Sequence, residues 1–404
     1  MPPPLSAGSS AADGVVAASA ATFGWQRGVR SSAAGLCRGH FYKLIAATVV
    51  AFLLLEYSFN MLSTNQKTFK VVSPGLSWIF RPLPGSAPLP ELVSPYSVNK
   101  SHSEKAFPTA AHTNSTSNST PAMELCPLVP PNLVGRLKVL KEAPSFETME
   151  KEFPLIMPGG RFKPKDCTAR HRVAILIPYR DREEHLRVFL YNMHQMLPRQ
   201  QVDYTIFVIE QAGARYACLG SIGFQAGQGK FNRAKLFNVG YLEALALYDY
   251  QCFIFHDVDL IPEDDRNLYT CPEQPRHMSV AIDTMKYRLP YALIFGGVSA
   301  LRKEHMQLVN GFSNEYWGWG GEDDDMSYRL QHYHLKISRY PASIARYTML
   351  RHAKDTPSPD RYKLLYKGKL RYRKDGINSV NYERLDIVFK KLYTWILVDL
   401  KGKK

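Results

Sequence analysis

Apolar, strand-like runs alternate with helical patterns between residues 173 and 257 of this 404-residue chain. The runs cover residues 173–178, 204–210 and 252–257, and the helical patterns cover residues 181–196 and 231–248. This β-α-β-α alternation is typical of a mostly parallel sheet with covering helices. We therefore predict an α/β domain whose ligands bind at the carboxyl edge of the sheet.

An acidic pair, Asp257 and Asp259, ends the third strand-like run at that predicted edge. By itself an Asp-x-Asp pair is a weak signal, because acidic pairs also end strands and turns in proteins without a site there. Its position at the edge of an α/β sheet makes a ligand site the better interpretation.

Basic residues are predicted at the same edge. Arg180 and Arg182 follow the first run, and Arg233 and Lys235 open the second helical pattern. Guanidinium groups at helix starts, together with a hard divalent cation, would bind a diphosphate. Each arginine alone is more typical of a solvated surface, and only their shared position favours the diphosphate.

Residues 317–325 read Trp-Gly-Trp-Gly-Gly-Glu-Asp-Asp-Asp. Indole faces suit a sugar ring, carboxylates suit a base or metal ligands, and glycines allow a close approach of the backbone. The acids alone would more often start the helix predicted at residues 326–330, and the tryptophans alone would more often be core. Their combination around glycines favours a site for a polyhydroxylated substrate.

Several blocks of this sequence resemble the signatures of the β-1,4-galactosyltransferase family. The blocks are residues 231–235, 256–259, 295–299, 310–312 and 317–325. The resemblance runs from about Cys126 to the C-terminus. It implies a single Rossmann-like catalytic domain of the GT-A type and an inverting transferase of the Golgi that uses a nucleotide sugar.

The resemblance also implies roles for individual residues. Mn²⁺ would be held by Asp259, Met349 and His352; without the family, Met349 would be interpreted as a core residue. Asp323 would be the catalytic base. The residues around the UDP-sugar would be Pro178, Tyr179, Arg180, Arg182, Phe231, Arg233, Asp257, Val258 and Trp319. The residues around the acceptor would be Tyr291, Glu322, Asp323, Asp324, Arg361, Tyr362 and Leu365, with residues 350–369 acting as a lid.

Ile294 carries the predicted donor specificity. Galactose-using relatives carry Tyr at this position, where the phenol crowds the space of an N-acetyl group on the donor sugar. The resemblance therefore implies transfer of GalNAc from UDP-GalNAc to the 4-hydroxyl of terminal β-GlcNAc on glycoproteins or glycolipids. UDP-Gal is the alternative donor, Ile294 being then an ordinary β-branched strand residue, and a non-catalytic sugar-binding relative is the third possibility.

Residues 44–62 form an apolar stretch whose N-terminal flank is basic, at Arg27, Arg30, Arg38 and Lys43. Positive charge keeps that flank cytosolic, so we predict a type II signal anchor in preference to a cleaved signal peptide. The predicted order is a cytosolic tail at 1–43, the anchor at 44–62, a Ser/Thr/Pro-rich lumenal stem at 63–125 and the catalytic domain at 126–404.

The stem carries sequons at Asn99, Asn114 and Asn118, which are predicted to be glycosylated in the lumen. Its flexibility is predicted from its composition. We expect a single-pass Golgi membrane protein with a lumenal domain. A net charge of +15 is compatible with a nucleic-acid partner, but we predict none, because no basic stripe with interleaved aromatic residues stands out and an anchor excludes the nucleus.

The chain has six cysteines, enough for two disulfides. The family resemblance implies the pairs Cys126 with Cys167 and Cys252 with Cys271. Cys218 lies in a glycine-rich segment, residues 214–230, where relatives have a very short link. This segment precedes Phe231, so a departure from the family is expected beside the donor pocket.

Overall fold

The computed structural model describes residues 123–212, 229–353 and 355–402, all within the unit Val98–Lys404. The predicted anchor, the stem up to residue 122, the sequons and Cys218 lie outside the described residues, and so does the insertion except for its last two residues. Within the described ranges, no helix has the length and apolar character needed to cross a membrane.

Eleven strands and six α-helices make up the described part of the domain. The strands are β1 (Arg161–Phe162), β2 (Arg172–Tyr179), β3 (Asp203–Gln211), β4 (Cys252–His256), β5 (Leu260–Pro262), β6 (Arg276–His277), β7 (Ala281–Ile282), β8 (Val298–Arg302), β9 (Arg346–Met349), β10 (Glu383–Phe389) and β11 (Thr394–Asp399). The helices are α1 (Phe146–Glu152), α2 (Glu183–Met196), α3 (Arg233–Leu247), α4 (Lys303–Leu308), α5 (Glu322–His332) and α6 (Arg361–Tyr366).

The main sheet has the strand order β10-β11-β3-β2-β4-β8-β6, with β1 paired to the start of β3. Its centre, from β11 to β4, is parallel, as the sequence predicted. The flanking pairs are antiparallel, so the sheet as a whole is mixed. A second, three-stranded sheet, β5-β9-β7, lies beyond the end of β4.

Strand β2 is buried on both faces, because successive side chains point to opposite sides of a sheet. Val173 and Ile175 belong to one apolar cluster, which also contains Phe189 of α2. Ala174 and Leu176 belong to the other cluster, which contains residues of α3. The helices predicted from the sequence thus cover opposite faces of the sheet, and the fold is an α/β domain of the predicted class.

Both helices begin two residues later than the sequence predicted. Asp181 takes a left-handed conformation with φ of 51°, which prevents α2 from starting there. Asn232 precedes α3, and its side-chain Oδ1 accepts a hydrogen bond from the Lys235 N–H at 2.9 Å. These residues are caps and turns, so the regular helices start at Glu183 and Arg233.

Both disulfides implied by the family resemblance are present. Cys126 is joined to Cys167, which ties the first described residues to the start of the domain. Cys252 is joined to Cys271, so the loop after β4 is closed onto the first residue of that strand. The second bond lies close in sequence to the acidic pair that follows β4.

Candidate active site

The candidate site lies where β4 and α3 meet the loops before β8 and α5. Asp257 follows β4 directly, and its carboxylate Oδ1 accepts a hydrogen bond from Arg233 Nε at 2.5 Å. Arg233 is the first residue of α3, so the end of the strand and the start of the helix are joined by an ion pair. Burial raises the pKa of Asp257, and the Arg233 charge opposes that rise.

Asp259 and His352 face each other across the β5-β9 pair. Asp259 Oδ2 lies 2.8 Å from His352 Nε2. His352 Nδ1 lies 2.7 Å from the Ala353 carbonyl and must donate to it, since a carbonyl only accepts. His352 Nε2 and Asp259 Oδ2 thus point at each other, an arrangement that suits two ligands of one cation.

Met349 is the third residue of the implied metal set. It lies in β9 directly opposite Leu260, the residue after Asp259. Its sulfur accepts a hydrogen bond from the Thr284 hydroxyl at 3.5 Å. Among the described residues, no group of three or more His, Cys, Asp and Glu side chains is arranged to hold a metal ion.

The loop before α5 turns on its glycines. Gly318, Gly320 and Gly321 have φ values of +86°, +104° and +95°, a region that residues with a Cβ seldom adopt. Trp319 between them is 56% exposed, whereas Trp317 is half-buried against the apolar cluster beside α3. The prediction of a sugar-facing indole therefore fits Trp319 alone, and the alternative of a core tryptophan fits Trp317.

The four acids that follow form the first turn of α5, as the helix-start alternative predicted. The four acids differ in their structural roles. Asp325 pairs with Arg329 at 2.7 Å in a fully buried ion pair, and Arg329 also donates to the backbone carbonyls of Gly311 and Asp375. Asp325 is thus part of the core that fixes the helix, and the other acids are left at the site.

Asp323 packs directly on Gly296. A Cβ added to Gly296 would lie 2.2 Å from Asp323 Oδ2, so any other residue at position 296 would displace the Asp323 carboxylate. Burial raises the pKa of Asp323, the Arg233 charge opposes this, and Asp324 adds to the rise. Burial followed by the charge of Asp323 raises the pKa of Glu322 to about 7. Both groups are stronger bases than ordinary carboxylates.

Predicted acceptor residues meet at the same helix turn. The Tyr291 hydroxyl donates to Asp324 Oδ1 at 2.8 Å. The Arg361 guanidinium lies 5.5 Å from the centre of the Trp319 indole ring and donates to the Tyr362 hydroxyl at 3.1 Å. Leu365 is on the same short helix, α6, and is half-buried. The structure therefore brings Tyr291 and Arg361 close to the start of α5, with Tyr362 and Leu365 following Arg361 on α6.

Two of the predicted donor residues, Arg180 and Phe231, contact each other. The Arg180 guanidinium lies 5.2 Å from the centre of the Phe231 ring and donates to the Gly229 carbonyl, the second-last residue of the insertion, at 3.0 Å. The remaining predicted residues on the sheet side are Pro178, Tyr179, Arg182 and Val258. Arg182 is half-buried at the start of α2, and the other three are buried. Arg233, also predicted to contact the UDP-sugar, is paired with Asp257, another residue of the predicted donor set.

Ile294 does not lie in a strand, contrary to the sequence-based interpretation. It is half-buried in the loop that precedes β8, and its backbone N–H donates to the Tyr291 carbonyl at 3.3 Å. The glycines at 296 and 297 interrupt the extended run, since Gly297 has a φ of +75°. Ile294 thus belongs to the loop that carries Tyr291 and Gly296, next to the acidic turn.

Two contributors to the site were missed in the sequence. Gly296 was noted only as part of a motif, although its lack of a Cβ gives Asp323 its place. Asn232 caps α3 and also donates to the Asn314 carbonyl at 2.9 Å, which connects the helix start to the segment before the tryptophan loop. An Asn directly before a helical pattern is a recognisable cap signal, whereas the contact at Gly296 depends on tertiary structure.

Two family models match consecutive parts of the chain. The N-terminal region of glycosyl transferase group 7 matches residues 126–272, and the N-terminal domain of galactosyltransferase matches residues 276–353. A solved structure of the catalytic domain of Drosophila β-1,4-galactosyltransferase 7 in complex with xylobiose is 30% identical, with a TM-score of 0.48, covering 58% of this chain and 95% of that chain.

Curated relatives match most of the same region. Mouse β-1,4-galactosyltransferase 1 is 48% identical over 283 residues, which cover 69% of this chain and 67% of the relative. Mouse β-1,4-galactosyltransferase 2 is 46% identical over 289 residues, covering 70% and 74%. β-1,4-Galactosyltransferase 4 of Cricetulus griseus is 46% identical over 278 residues, covering 68% and 76%. The chain therefore belongs to the β-1,4-galactosyltransferase family of glycosyltransferases.

Proposed function

We propose that this protein transfers a hexose from a UDP-sugar to the 4-hydroxyl of a terminal GlcNAc, with inversion at the anomeric carbon. One observation carries the proposal. Arg233 lies 2.5 Å from Asp257 Oδ1 and 3.5 Å from Glu322 Oε1, so one side chain contacts both acidic groups. The carboxylate at the end of β4 and the acidic turn of α5, which also carries Asp323, therefore share one site.

Asp323 is the proposed base. An attacking sugar hydroxyl has to lose its proton, and the efficiency of a base increases as its pKa approaches the working pH. Burial raises the pKa of Asp323 in that direction. Its position on Gly296, two residues from Ile294, places the carboxylate beside the loop proposed to contact the donor sugar.

Glu322 and Asp324 are proposed to hold the acceptor through its hydroxyl groups. Asp324 is oriented by the Tyr291 hydroxyl, and Glu322 Oε2 is buried without a hydrogen-bond partner among the described residues. Such an atom is costly unless a ligand satisfies it, which supports a polyhydroxylated substrate here. Arg361, Tyr362 and Leu365 would contact the ring and the N-acetyl group of GlcNAc.

We infer that Mn²⁺ is the metal held by Asp259, His352 and Met349. A carboxylate and an imidazole suit this borderline ion, and a thioether is tolerated by it. The ion would compensate the negative charge of the diphosphate. Asp257, Arg180 and Phe231 would then bind the nucleotide beside it.

The donor sugar has two candidates. The names of the relatives support galactose, since those reported above are called galactosyltransferases. Ile294 supports GalNAc, because an aliphatic side chain leaves space for an N-acetyl group that a Tyr would exclude. Overall sequence identity does not determine donor specificity when a single residue contacts the group that distinguishes the two sugars. We therefore keep GalNAc as the proposed donor and galactose as the alternative.

The test compares UDP-Gal and UDP-GalNAc with the wild type and with Ile294→Tyr, using a soluble GlcNAc glycoside. We expect the variant to lose GalNAc transfer by steric exclusion and to keep or gain galactose transfer. Ile294→Val is the matched control, because it keeps the space and the β-branch. A wild type that prefers UDP-Gal, or a donor ratio that Ile294→Tyr leaves unchanged, would establish galactose instead.

We further propose a type II Golgi membrane protein with the domain in the lumen. The support is the basic flank and the apolar stretch at residues 44–62, and the disulfides suit an oxidising compartment. Protease protection of the domain in intact vesicles tests the orientation. Cleavage of the domain without detergent would contradict it.

A further inference from the structure

The loop that carries Ile294 lies outside the helices and strands. Residues 291–296, which we call the specificity loop, precede β8 and make a turn that is closed by a hydrogen bond from the Ile294 N–H to the Tyr291 carbonyl at 3.3 Å. Residues 291–293 are exposed. Because a turn at the surface has few contacts of its own, its position depends on the side chains that bind it.

Arg339, in the segment between α5 and β9, binds the specificity loop. Its guanidinium Nη2 donates to the carbonyls of Ala292 and Ile294, each at 2.8 Å. Its Nε donates to His277 Nδ1 at 3.2 Å. The residue proposed to carry donor specificity is therefore held through its own backbone by a side chain from a distant part of the chain.

His277 extends this contact to Gly296. An arginine only donates, so His277 Nδ1 accepts and the proton of the neutral ring is on Nε2. Nε2 lies 3.1 Å from the Gly296 carbonyl and donates to it. Burial, followed by the Arg339 charge, lowers the pKa of His277 to about 3, so the ring stays neutral at ordinary pH. Arg339 and His277, which we call the clamp, thus bind three carbonyls of the specificity loop.

The clamp is itself fixed to the edge of the main sheet. His277 is buried in β6, which pairs with β8. The His277 N–H donates to the Ser338 carbonyl at 3.0 Å, and the Ser338 N–H donates to the Pro275 carbonyl at 2.7 Å. The residue before Arg339 is therefore bound to the strand that carries His277, and both clamp residues lie outside the predicted lid at 350–369.

Burial of Arg339 favours one position of the specificity loop. It lowers the pKa of Arg339, and backbone carbonyls face the guanidinium in place of a carboxylate. A desolvated charged group is costly when its hydrogen-bond partners are removed. Displacement of the specificity loop would leave the Arg339 charge with fewer acceptors, and this cost opposes the displacement.

The specificity loop contacts both parts of the proposed site. Ile294 is the residue proposed to face the group on the donor sugar that distinguishes galactose from GalNAc. Gly296 lies against Asp323, the proposed base. Because discrimination depends on the space beside one sugar carbon, a displacement of about 1 Å is enough to change it.

We propose that Arg339 and His277 are positioning residues for donor specificity. By holding the carbonyls of the specificity loop, they keep residue 294 at the distance from the donor sugar at which its size decides between galactose and GalNAc. Neither clamp residue is proposed to touch the substrate. This inference rests on the proposed function, because it requires a UDP-hexose donor, and it holds for either donor sugar.

The position of the specificity loop is tested without turnover, by hydrogen–deuterium exchange of the full chain. Arg339→Gln is too short to reach both carbonyls and should increase exchange in residues 291–297 by at least about tenfold, the factor expected from loss of one hydrogen bond to a charged group. Exchange in β4 should not change. Lys336→Gln is the matched control, because Lys336 is an exposed cation of the same segment.

Unchanged exchange in the specificity loop of Arg339→Gln would show that the loop does not depend on the clamp. An equal increase in β4 would show that Arg339 supports the whole domain. Either result overturns the proposal.

The effect on specificity is tested by a double-mutant cycle on kcat/KM for UDP-GalNAc and UDP-Gal with a soluble GlcNAc glycoside. Ile294→Tyr alone should exclude GalNAc by its size. Added to it, Arg339→Gln lets the specificity loop recede, so GalNAc transfer relative to galactose transfer should recover by roughly tenfold, a factor typical of contacts to a small apolar group. Lys336→Gln in the same background should recover none.

A purely structural role of Arg339 predicts a different outcome. Arg339→Gln would then lower transfer from both donors by one factor and leave the donor ratio of Ile294→Tyr unchanged, which would contradict the proposal. A donor ratio that Ile294→Tyr itself does not change would also contradict it, because the clamp acts through residue 294.

Arg339→Lys replaces Arg339→Gln in both experiments if the latter does not fold. It keeps the charge but has no planar fork of donors, so smaller changes in the same direction are expected, and their absence overturns the proposal. A wild type inactive with both donors refutes the proposed function, and the exchange measurement still decides whether the clamp holds the specificity loop.

Discussion

The two acidic groups of the site differ in the partners that their carboxylates have. Asp257 and Asp259, after β4, face an arginine at 2.5 Å and a histidine at 2.8 Å. The carboxylates of Glu322 and Asp323, in the first turn of α5, have more distant or fewer polar partners. Arg233 is 3.5 Å from Glu322, and Asp323 Oδ1 accepts only the Asp324 N–H among the described hydrogen bonds.

This difference separates two kinds of chemistry that acidic residues perform. The carboxylates of Asp257 and Asp259 each have a close nitrogen partner, an arrangement that suits the binding of a metal and a diphosphate. Glu322 and Asp323 have few partners and raised pKa values, which suits a base and polar contacts to a sugar. The same residue types thus differ in the partners of their carboxylates.

The largest expected effect comes from removing the proposed base. Asp323→Asn keeps the size and most hydrogen bonds and removes the basicity, so transfer should fall by about two to four orders of magnitude. Initial rates with saturating donor and acceptor measure it. Asp325→Asn is not a suitable control, because Asp325 is buried in the core. If transfer persists while acceptor affinity falls, Asp323 is a binding residue, and the base is Glu322 or Asp324.

A smaller effect, a loss of Mn²⁺ affinity, is expected from substitutions at the strand edge. Asp259→Asn and His352→Ala should each weaken Mn²⁺ binding by about tenfold or more, because a ligand is lost while the partner remains. Titration of the paramagnetic ion measures this without any turnover. Normal Mn²⁺ affinity in both variants, or full wild-type activity in chelator, would remove these residues from the metal site.

The last expected effect concerns the free energy of unfolding and its dependence on pH, and involves neither binding nor turnover. The pKa of Glu322 rises from 4.5 to about 7 on folding, so the folded state binds its proton more tightly than the unfolded chain does. Stability is therefore lost as the pH rises from about 4.5 to about 7. Glu322→Gln should be more stable than the wild type at pH 8, by on the order of 2 kcal/mol, and equal to it near pH 4. Urea unfolding at the two pH values measures this difference. If Glu322→Gln is no more stable than the wild type at pH 8, burial does not destabilise the charged form of Glu322.

The centre of the fold could be predicted from the sequence, and its edges could not. The strand runs that became β2, β3 and β4 are nearly continuous apolar segments, which a strand buried on both faces requires. The flanking strands are short or polar, and β8 follows two glycines, so their antiparallel pairing depends on contacts distant in the chain. The same glycines explain why Ile294 was mistaken for a strand residue.

The site residues could be predicted where a local sequence motif contains the residue types that the chemistry needs. Asp257, Asp259 and the acidic turn were found as patterns, and the family resemblance supplied Met349 and His352, which no local pattern indicates. The distinction between Asp323 and Asp325 could not be read from four acids in a row. It depends on Asp325 pairing with Arg329, one turn along the same helix, while Asp323 contacts Gly296 of another segment.

The most direct test of the separate roles of the strand edge and the helix turn is Mn²⁺-dependent binding of UDP by Asp323→Asn and Asp259→Asn, measured by calorimetry. The account predicts that Asp323→Asn binds UDP like the wild type although it has lost transfer, whereas Asp259→Asn loses the Mn²⁺-dependent part of UDP binding. Loss of UDP binding in Asp323→Asn, or its retention in Asp259→Asn, would contradict the assignment of charge binding to the strand edge and proton transfer to the helix turn.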